Sequence, residues 1–214
     1  MMDLAHCHKL LVFGGSFDPP HLAHVKLPAM VMQAIDADLL AYIPTAQQPL
    51  KIDQQVTNAQ HRLAMLQLAV EDQPNTIILT DELDRGSTSF TVDTLEQLRI
   101  QLNESATMRL LIGGDQLQLF DQWKNSERII ELAEPVVMVR PPQSRSSLLK
   151  SLPKGYNSAQ WAMRLVDVPA MAISSTIVRQ LVSQAQPIDE LVAPAVKAYI
   201  REHALYQGKM PRTL

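Results

Sequence analysis

Short apolar runs typical of buried β-strands recur six times along this chain, and helical patterns lie between most of them. The strand-like runs cover residues 9–13, 39–43, 76–80, 108–112, 136–140 and 163–168. Apolar residues at spacings of three and four predict helices over 22–35, 57–71, 91–102 and 127–132. Alternation of this kind is typical of a parallel sheet with right-handed crossovers. The sequence therefore predicts an α/β fold, a Rossmann-like doubly wound parallel sheet with helices on both faces.

The size and charge of the chain limit the number of domains and the classes of protein to which it can belong. Its 214 residues can bury one substantial core, so we predict a single domain over 1–214 with a small C-terminal helical portion at about 174–206. No apolar run is long enough to cross a bilayer, which argues against a membrane protein. A net charge of −3 argues against binding to a nucleic-acid polymer, because phosphate contacts along a polymer need a surplus of Lys and Arg.

The N-terminal residues and the cysteine content indicate the compartment. The chain lacks the basic start and the small-residue cleavage site of a secretory signal, which predicts a cytoplasmic protein. Cys7 is the only cysteine, so an intrachain disulfide and a cysteine metal cluster are excluded. We also expect no metal site built by the protein, since His, Asp and Glu do not cluster at metal-ligand spacing. The oligomeric state stays open, and a homo-oligomer is one possibility.

Two stretches that follow predicted strands have the composition of loops. Residues 44–55 are polar and punctuated by proline, and residues 141–156 are rich in Pro, Ser and Lys. Both follow the carboxyl ends of strands, which is the edge where parallel sheets bind ligands.

Glycine is used sparingly, and its placement indicates where a ligand binds. Four of the seven glycines form two pairs, Gly14-Gly15 and Gly113-Gly114, and each pair closes an apolar strand. If the first and fourth strands are neighbours at the switch point of the sheet, the two glycine turns face each other and clear space for one nucleotide. Asp115 follows the second pair, where it could either cap the next helix or accept hydrogen bonds from a ribose.

The segment GGSFDPPHLAH, residues 14–24, has the residue order of a phosphate site. After the glycine turn, Pro19 and Pro20 preset helical φ near the start of a helix. The N-terminus of that helix would direct its unpaired N–H groups and positive dipole end at an anion over the turn. His21 and His24 are three residues apart and should share one face of the first helical turn. Their imidazoles suit phosphate oxygens on which charge develops.

A second helix N-terminus of this kind occurs near the other end of the chain. The segment ISSTIVR, residues 173–179, reads as a strand exit followed by serines and a helix. Ser174 or Ser175 can cap this helix, and Arg179 on the same face can clamp phosphate oxygens. Taken alone it could equally be a well-capped helix with a surface arginine, but its pairing with the first segment in an α/β chain favours a phosphate site.

Together these residues resemble a known family. GGSFDPPHLAH and ISSTIVR resemble the signatures of the nucleotidyltransferase superfamily with (H/T)xGH and ISSTxxR motifs, and specifically those of the bacterial nicotinate-mononucleotide adenylyltransferases. The likeness runs nearly end to end. The intervening and closing residues that fall in the order of that family are Glu82, Leu83, Arg85, Ser89, Phe90, Thr91, Thr94, Leu95, Gly113, Asp115, Trp123, Tyr199, Ile200, His203, Leu205 and Tyr206.

The resemblance implies a binding site for ATP. His21 and His24 would contact the triphosphate, and Arg179 would contact the β and γ phosphates. The resemblance also assigns ATP contacts to the first glycine turn, to the second one and to the ISST turn. These further ATP-binding residues are Gly14, Gly15, Ser16, Phe17, Gly113, Asp115, Ser174, Ser175 and Thr176.

It implies equally a site for nicotinate mononucleotide. The pyridine ring would stack on Trp123, while backbone and hydroxyl groups around Ser89, Phe90 and Thr91 would receive its carboxylate. Lys51 would reach the phosphate of the mononucleotide or the α-phosphate of ATP, in a catalytic role with the two histidines and the arginine. The chain departs from the family in having Ala23 where the motif has glycine and Phe90 where tyrosine is usual. The loop of Lys51 also lacks the histidine often found beside it.

The implied reaction transfers AMP from ATP to nicotinate mononucleotide and gives deamido-NAD and pyrophosphate. The attacking phosphate is already ionised, so catalysis needs alignment and neutralisation of charge rather than a strong base or a covalent intermediate. Mg²⁺ would arrive bound to ATP. The alternatives are an adenylyltransferase for nicotinamide mononucleotide or pantetheine phosphate, and a non-catalytic nucleotide sensor on the same fold.

Overall fold

The structure, a computed structural model, describes residues 4–46, 56–85 and 90–208. Its six strands form one parallel sheet in the order β3-β2-β1-β4-β5-β6. The strands are β1 (Lys9–Gly15), β2 (Leu39–Pro44), β3 (Thr76–Ile78), β4 (Thr107–Gly113), β5 (Glu134–Val139) and β6 (Leu165–Asp167). This strand order is that of a doubly wound sheet, whose direction of winding reverses between β1 and β4. The predicted fold class is confirmed.

The helices of the described residues connect these strands and extend beyond the last one. They are α1 (Leu22–Ala34), α2 (Ala59–Val70), α3 (Asp81–Arg85), α4 (Thr91–Gln101), α5 (Gly114–Leu117), α6 (Ser126–Leu132), α7 (Arg145–Lys150), α8 (Ser158–Met163), α9 (Ser175–Ser183) and α10 (Pro194–Glu202). Two 3₁₀ turns lie at Leu4–His6 and Phe120–Gln122. None of the helices in the described ranges is long and apolar enough to span a membrane.

Both faces of the sheet are buried, because successive side chains of a strand point to opposite faces. Leu10 and Val12 of β1 pack in one cluster with residues of α4, α6, α7 and α8. Leu11 and Phe13 pack in a second cluster with residues of α1 and α2. The sheet is therefore covered on both sides, as the alternation of strands and helices predicts.

The C-terminal helices form a third cluster against the outer side of α2. Val178 of α9 and Val196 and Ile200 of α10 pack around Met65 of α2. The segment between α9 and α10 reaches the N-terminus of α1, where Leu22 N–H donates to the carbonyl of Leu191 (2.8 Å). The helical portion expected near 174–206 is present.

Several element boundaries differ from the prediction. The stretch 141–156, predicted as a loop, contains α7, because Ser144 and Ser147 form a capping box and Leu148 is buried in the core. The strand predicted over 163–168 is shorter, since Met163 closes α8 and β6 begins at Leu165. The third strand ends at Ile78 instead of residue 80. Of the predicted loop 44–55, residue 44 ends β2 and residues 47–55 lie outside the described residues.

Candidate active site

The two glycine turns meet across the point where the sheet reverses its winding. Strands β1 and β4 pair directly, so the carboxyl ends that carry Gly15 and Gly113 lie side by side. A cavity of about 360 Å³ opens between them. The predicted site residues that line it are Gly14, Gly15, Ser16, His21, His24, Phe90, Thr91, Gly113, Asp115 and Trp123. This is the position at which doubly wound sheets bind nucleotides.

The two histidines cap the helix that begins beside this cavity. His21 is the N-cap of α1, and its Nδ1 accepts a hydrogen bond from the backbone N–H of His24 (3.3 Å). In return, Nδ1 of His24 accepts from the backbone N–H of His21 (3.4 Å). The two rings stack with centroids 3.6 Å apart, which confirms that they share a face of the first turn. Pro19 and Pro20 directly precede this N-cap, near the start of the helix as predicted.

This reciprocal cap determines the protonation of both rings. Since Nδ1 of each imidazole accepts a backbone N–H, the ring proton of each lies on Nε2, where it can donate to a ligand in the cavity. Burial first, and the positive charge of Arg140 second, lower the pKa of His21 to about 4. Burial, His21 and Arg140 lower the pKa of His24 well below its usual value. Near neutral pH the pair is therefore two uncharged hydrogen-bond donors.

The ISST turn and its arginine lie against the segment that carries the histidines. Ser174 is the N-cap of α9, its Oγ accepting from the N–H of Ile177 (3.2 Å), which decides between the two candidate caps. Ser175 Oγ donates to the carbonyl of Pro19 (2.9 Å), and Arg179 Nη1 donates to the carbonyl of Asp18 (2.6 Å). Thus the N-termini of α1 and α9 meet, although they are about 150 residues apart in the sequence.

Not every predicted ATP-binding residue reaches the cavity. The described residues that line it do not include Ser174, Ser175, Thr176 or Arg179, whose turn contacts the backbone of residues 18–19 instead. Phe17 has a positive φ of 48° and is only 1% exposed. Its ring packs edge-on against His24, at 5.2 Å between centroids, so it supports the imidazole from behind. Lys51 and Ser89 lie outside the described residues.

A buried polar network that sequence reasoning missed holds the loop between β1 and α1. Asp18 is 5% exposed, and its carboxylate accepts from the Tyr206 hydroxyl (2.5 Å) and the Thr57 N–H (3.1 Å). Arg62 is 1% exposed and donates to the carbonyls of Ser16 (2.7 Å) and Thr57 (2.9 Å). This network connects the loop between β1 and α1 to α2 and to the C-terminal helical portion. Asp18 was visible within its motif, but nothing in the sequence identified its partners.

The second glycine turn brings a charged pair to the cavity. The N-cap of α5 is Gly113, so the alternative in which Asp115 caps this helix is wrong. Asp115 lies in the first turn and pairs with Nη2 of Arg140 (3.3 Å). A Cβ on Gly113 would lie 2.5 Å from Oδ1 of Asp115, so a side chain at this position would displace the Asp115 carboxylate. Arg140 was not predicted as a site residue, although it directly follows β5 at the ligand-binding edge.

The opposite end of the cavity is largely aromatic. Trp123 leans against Phe120 with ring centroids 5.3 Å apart, and Phe90 is the N-cap of α4 without a side-chain cap. Beneath them, Thr94 donates to Oε1 of the buried Glu82 (2.7 Å). Burial is the first cause that raises the pKa of Glu82, and its Oε2 has no hydrogen-bond partner. This end can enclose a flat ring between apolar side chains.

The chain itself does not offer a metal cage in the part that the structure describes. Within those residues, no group of three or more His, Cys, Asp or Glu side chains could hold a metal ion. Asp115 provides a carboxylate at the second glycine turn, but this carboxylate forms a salt bridge with Arg140. The donors that the described residues supply therefore do not fit a resident metal.

Comparisons with known proteins agree with this geometry. Residues 12–181 match the family model described as cytidylyltransferase-like. A curated protein of Roseiflexus sp. (strain RS-1), named "Probable nicotinate-nucleotide adenylyltransferase", is 36% identical over 92% of this chain and 96% of its own length. A protein of the same name from Bacillus pumilus is 32% identical over 94% of this chain and 99% of its own length.

A solved structure supports the fold. The nicotinic acid mononucleotide adenylyltransferase of Plasmodium falciparum, in complex with NaAD, superimposes with a TM-score of 0.69. The match covers 92% of this chain and 97% of the other, at 22% sequence identity.

Proposed function

The chain belongs to the cytidylyltransferase-like family, and from that premise we propose that it is an adenylyltransferase that moves AMP from ATP to nicotinate mononucleotide. The products are deamido-NAD and pyrophosphate, so the enzyme serves NAD biosynthesis. Curated relatives that match more than nine-tenths of the chain carry the name of this activity, which supports the choice of acceptor.

One observation carries the proposal. Two segments from opposite ends of the chain, 18–24 and 174–179, meet through the hydrogen bonds of Arg179 to Asp18 and of Ser175 to Pro19. Each segment begins a helix, and the positive ends of both helix dipoles lie at the ligand-binding edge of the sheet. A polyphosphate is the ligand that this arrangement suits, because it carries several negative charges along a short chain.

The reaction needs little acid–base chemistry from the protein. A 5′-phosphate oxygen of the mononucleotide attacks the α-phosphorus of ATP, and the bond from that phosphorus to the α–β bridging oxygen breaks as pyrophosphate leaves. The nucleophile is ionised before it binds, so no base is required. We assign His21 and His24 the role of donating Nε2–H hydrogen bonds to phosphate oxygens that gain charge in the transition state. Because both rings are neutral, they can donate without exchanging a proton.

The remaining assignments divide the site between the two substrates. We place Arg179, Ser174, Ser175 and Thr176 at the β and γ phosphates, which requires that the phosphates extend from the cavity over residues 18–19. The adenosine then lies at Gly14, Gly15, Ser16, Gly113 and Asp115. The pyridine stacks on Trp123, with its carboxylate near Phe90 and Thr91. Ser89 and Lys51 stay predicted contributors to the mononucleotide site.

We also propose which divalent cation the reaction uses and in which compartment the enzyme acts. Nucleotidyl transfer from ATP uses a divalent cation, and we propose that this is Mg²⁺ carried by the phosphates and water, since the described residues offer no cage for it. We place the enzyme in the cytoplasm, where its substrate ATP is made.

The direct test is pyrophosphate release with a panel of acceptors. The protein is incubated with ATP, Mg²⁺ and one of nicotinate mononucleotide, nicotinamide mononucleotide or pantetheine phosphate. We expect the fastest release with nicotinate mononucleotide and none without an acceptor. Pyrophosphate release without an acceptor would indicate hydrolysis of ATP. No pyrophosphate release with any of the acceptors would favour a nucleotide sensor. Fastest release with pantetheine phosphate would show that the acceptor is wrong.

A further inference from the structure

One lysine lies at the aromatic end of the cavity. Lys124 directly follows Trp123, and both residues line the cavity. Its Nζ lies 4.4 Å from the centroid of the Phe90 ring, in cation–π contact. The ammonium group is therefore held beside Phe90, near which the proposed function places the pyridine carboxylate.

The partner of this lysine lies behind it. Both carboxylate oxygens of Asp93 accept from Lys124 Nζ at 3.1 Å. Asp93 belongs to the first turn of α4 and is not among the described residues that line the cavity. Of this ion pair, the cationic residue therefore belongs to the cavity lining and the anionic residue does not.

Among the described residues, the other charges near this end do not supply a second cation to the cavity wall. Glu82 is bound by Thr94, and Arg85 donates to the same Thr94 hydroxyl (2.9 Å) without being among the described residues that line the cavity. Arg140, the other cationic side chain of the described wall, pairs with Asp115 at the second glycine turn. In the part of the chain that the structure describes, Lys124 is therefore the cation of the cavity lining that contacts Phe90.

From this arrangement we infer that Lys124 is a specificity-determining residue, which favours a mononucleotide whose pyridine ring carries a carboxylate over one that carries a neutral amide. The inference rests on the proposed function and deepens it. The two acceptors differ at one ring substituent, and only the carboxylate gains a Coulomb interaction with the ammonium group. Lys124 is partly exposed and shares its charge with Asp93, so we expect about a tenfold preference from this residue.

Binding measurements on matched variants test the inference. Titration calorimetry gives Kd for nicotinate mononucleotide and for nicotinamide mononucleotide with the wild type, Lys124→Met, Lys124→Arg and Lys9→Met. Lys9 is the matched control, because it is also a half-exposed lysine paired with an aspartate, Asp36, but lies at the start of β1. We expect Lys124→Met to weaken binding of the acid about tenfold and of the amide less than about twofold. Lys124→Arg and Lys9→Met should keep the wild-type ratio.

The ratio should also depend on salt. Raising ionic strength should narrow the preference of the wild type for the acid and leave Lys124→Met unchanged, because screening acts on the charge. The inference would be overturned if the ratio of the two Kd values in Lys124→Met stayed within about twofold of the wild-type ratio. It would also be overturned if Lys124→Met lost the same affinity for both acceptors. Pyrophosphate release by the wild type is followed separately. If that release is absent while binding follows Lys124, the proposed reaction fails and the role of the lysine stands.

Discussion

His21 has two roles in this account, and a pair of substitutions separates them. Its Nδ1 caps α1, whereas its Nε2–H is assigned to the phosphates. His21→Ser keeps a good N-cap and removes the Nε2–H donor. His21→Ala removes both. The two replacements leave similar space where the buried ring was, so their difference isolates the cap.

The magnitudes differ enough to be resolved. Loss of an N-cap costs about 1 kcal/mol. In a chain of 214 residues this lowers Tm by roughly 2–4 °C, so His21→Ala should melt below His21→Ser by that amount. Loss of one donor to developing charge lowers turnover by about 100-fold to 1,000-fold. Both variants should therefore be equally slow, although only one has lost the cap.

The assay combines thermal unfolding with pyrophosphate release at saturating ATP and nicotinate mononucleotide. If His21→Ser turns over within about fivefold of the wild type, the imidazole is only a cap and its assignment to the phosphates is refuted. Equal Tm values for the two variants would instead refute the contribution of the cap.

Three further predictions concern other parts of the site. Trp123→Ala should weaken mononucleotide binding about tenfold with little change in ATP affinity by calorimetry, and the reverse pattern would place the pyridine elsewhere. Tyr206→Phe removes a hydroxyl that donates to the buried Asp18, so Tm should fall by roughly 4–8 °C for a loss of about 2 kcal/mol, and an unchanged Tm would contradict this. The pKa of His21 falls from its usual value to about 4 on folding, so the unfolded state binds more protons below neutral pH. The resulting stability is fully present above pH 6.5 and is lost towards pH 4, by about 3 kcal/mol in denaturant titrations, and His21→Ser should reduce this slope.

The features that could be predicted from the sequence are those that local periodicity encodes. Strand and helix repeats differ in period, so their alternation predicts the layered sheet. Each glycine pair closes a strand, and the condition under which the two turns face each other, that β1 and β4 are neighbours, is met in the sheet. The paired signatures also identified the family correctly. The single-domain organisation stays a prediction.

The features that could not be predicted depend on contacts between distant residues. Helix α7 has only six residues, and its stability comes from the burial of Leu148 near Gly114 more than from a local repeat. Arg62 gives no sign in the sequence that its guanidinium binds backbone carbonyls, including that of Ser16, 46 residues earlier. For Arg140, the sequence signal of a site residue was limited to its position directly after a strand. Lys51 and Ser89 remain predictions because they lie outside the described residues.

The central claim is that the α-phosphorus of ATP is transferred directly to an acceptor phosphate between the N-termini of α1 and α9. The most direct measurement follows ATP labelled either at the α or at the γ phosphorus, with nicotinate mononucleotide as acceptor and His21→Ser as control. The account predicts that the α label appears in deamido-NAD, that the γ label appears in pyrophosphate, and that the control forms little of either. An α label recovered in free AMP or ADP, or bound covalently to the protein, would contradict it.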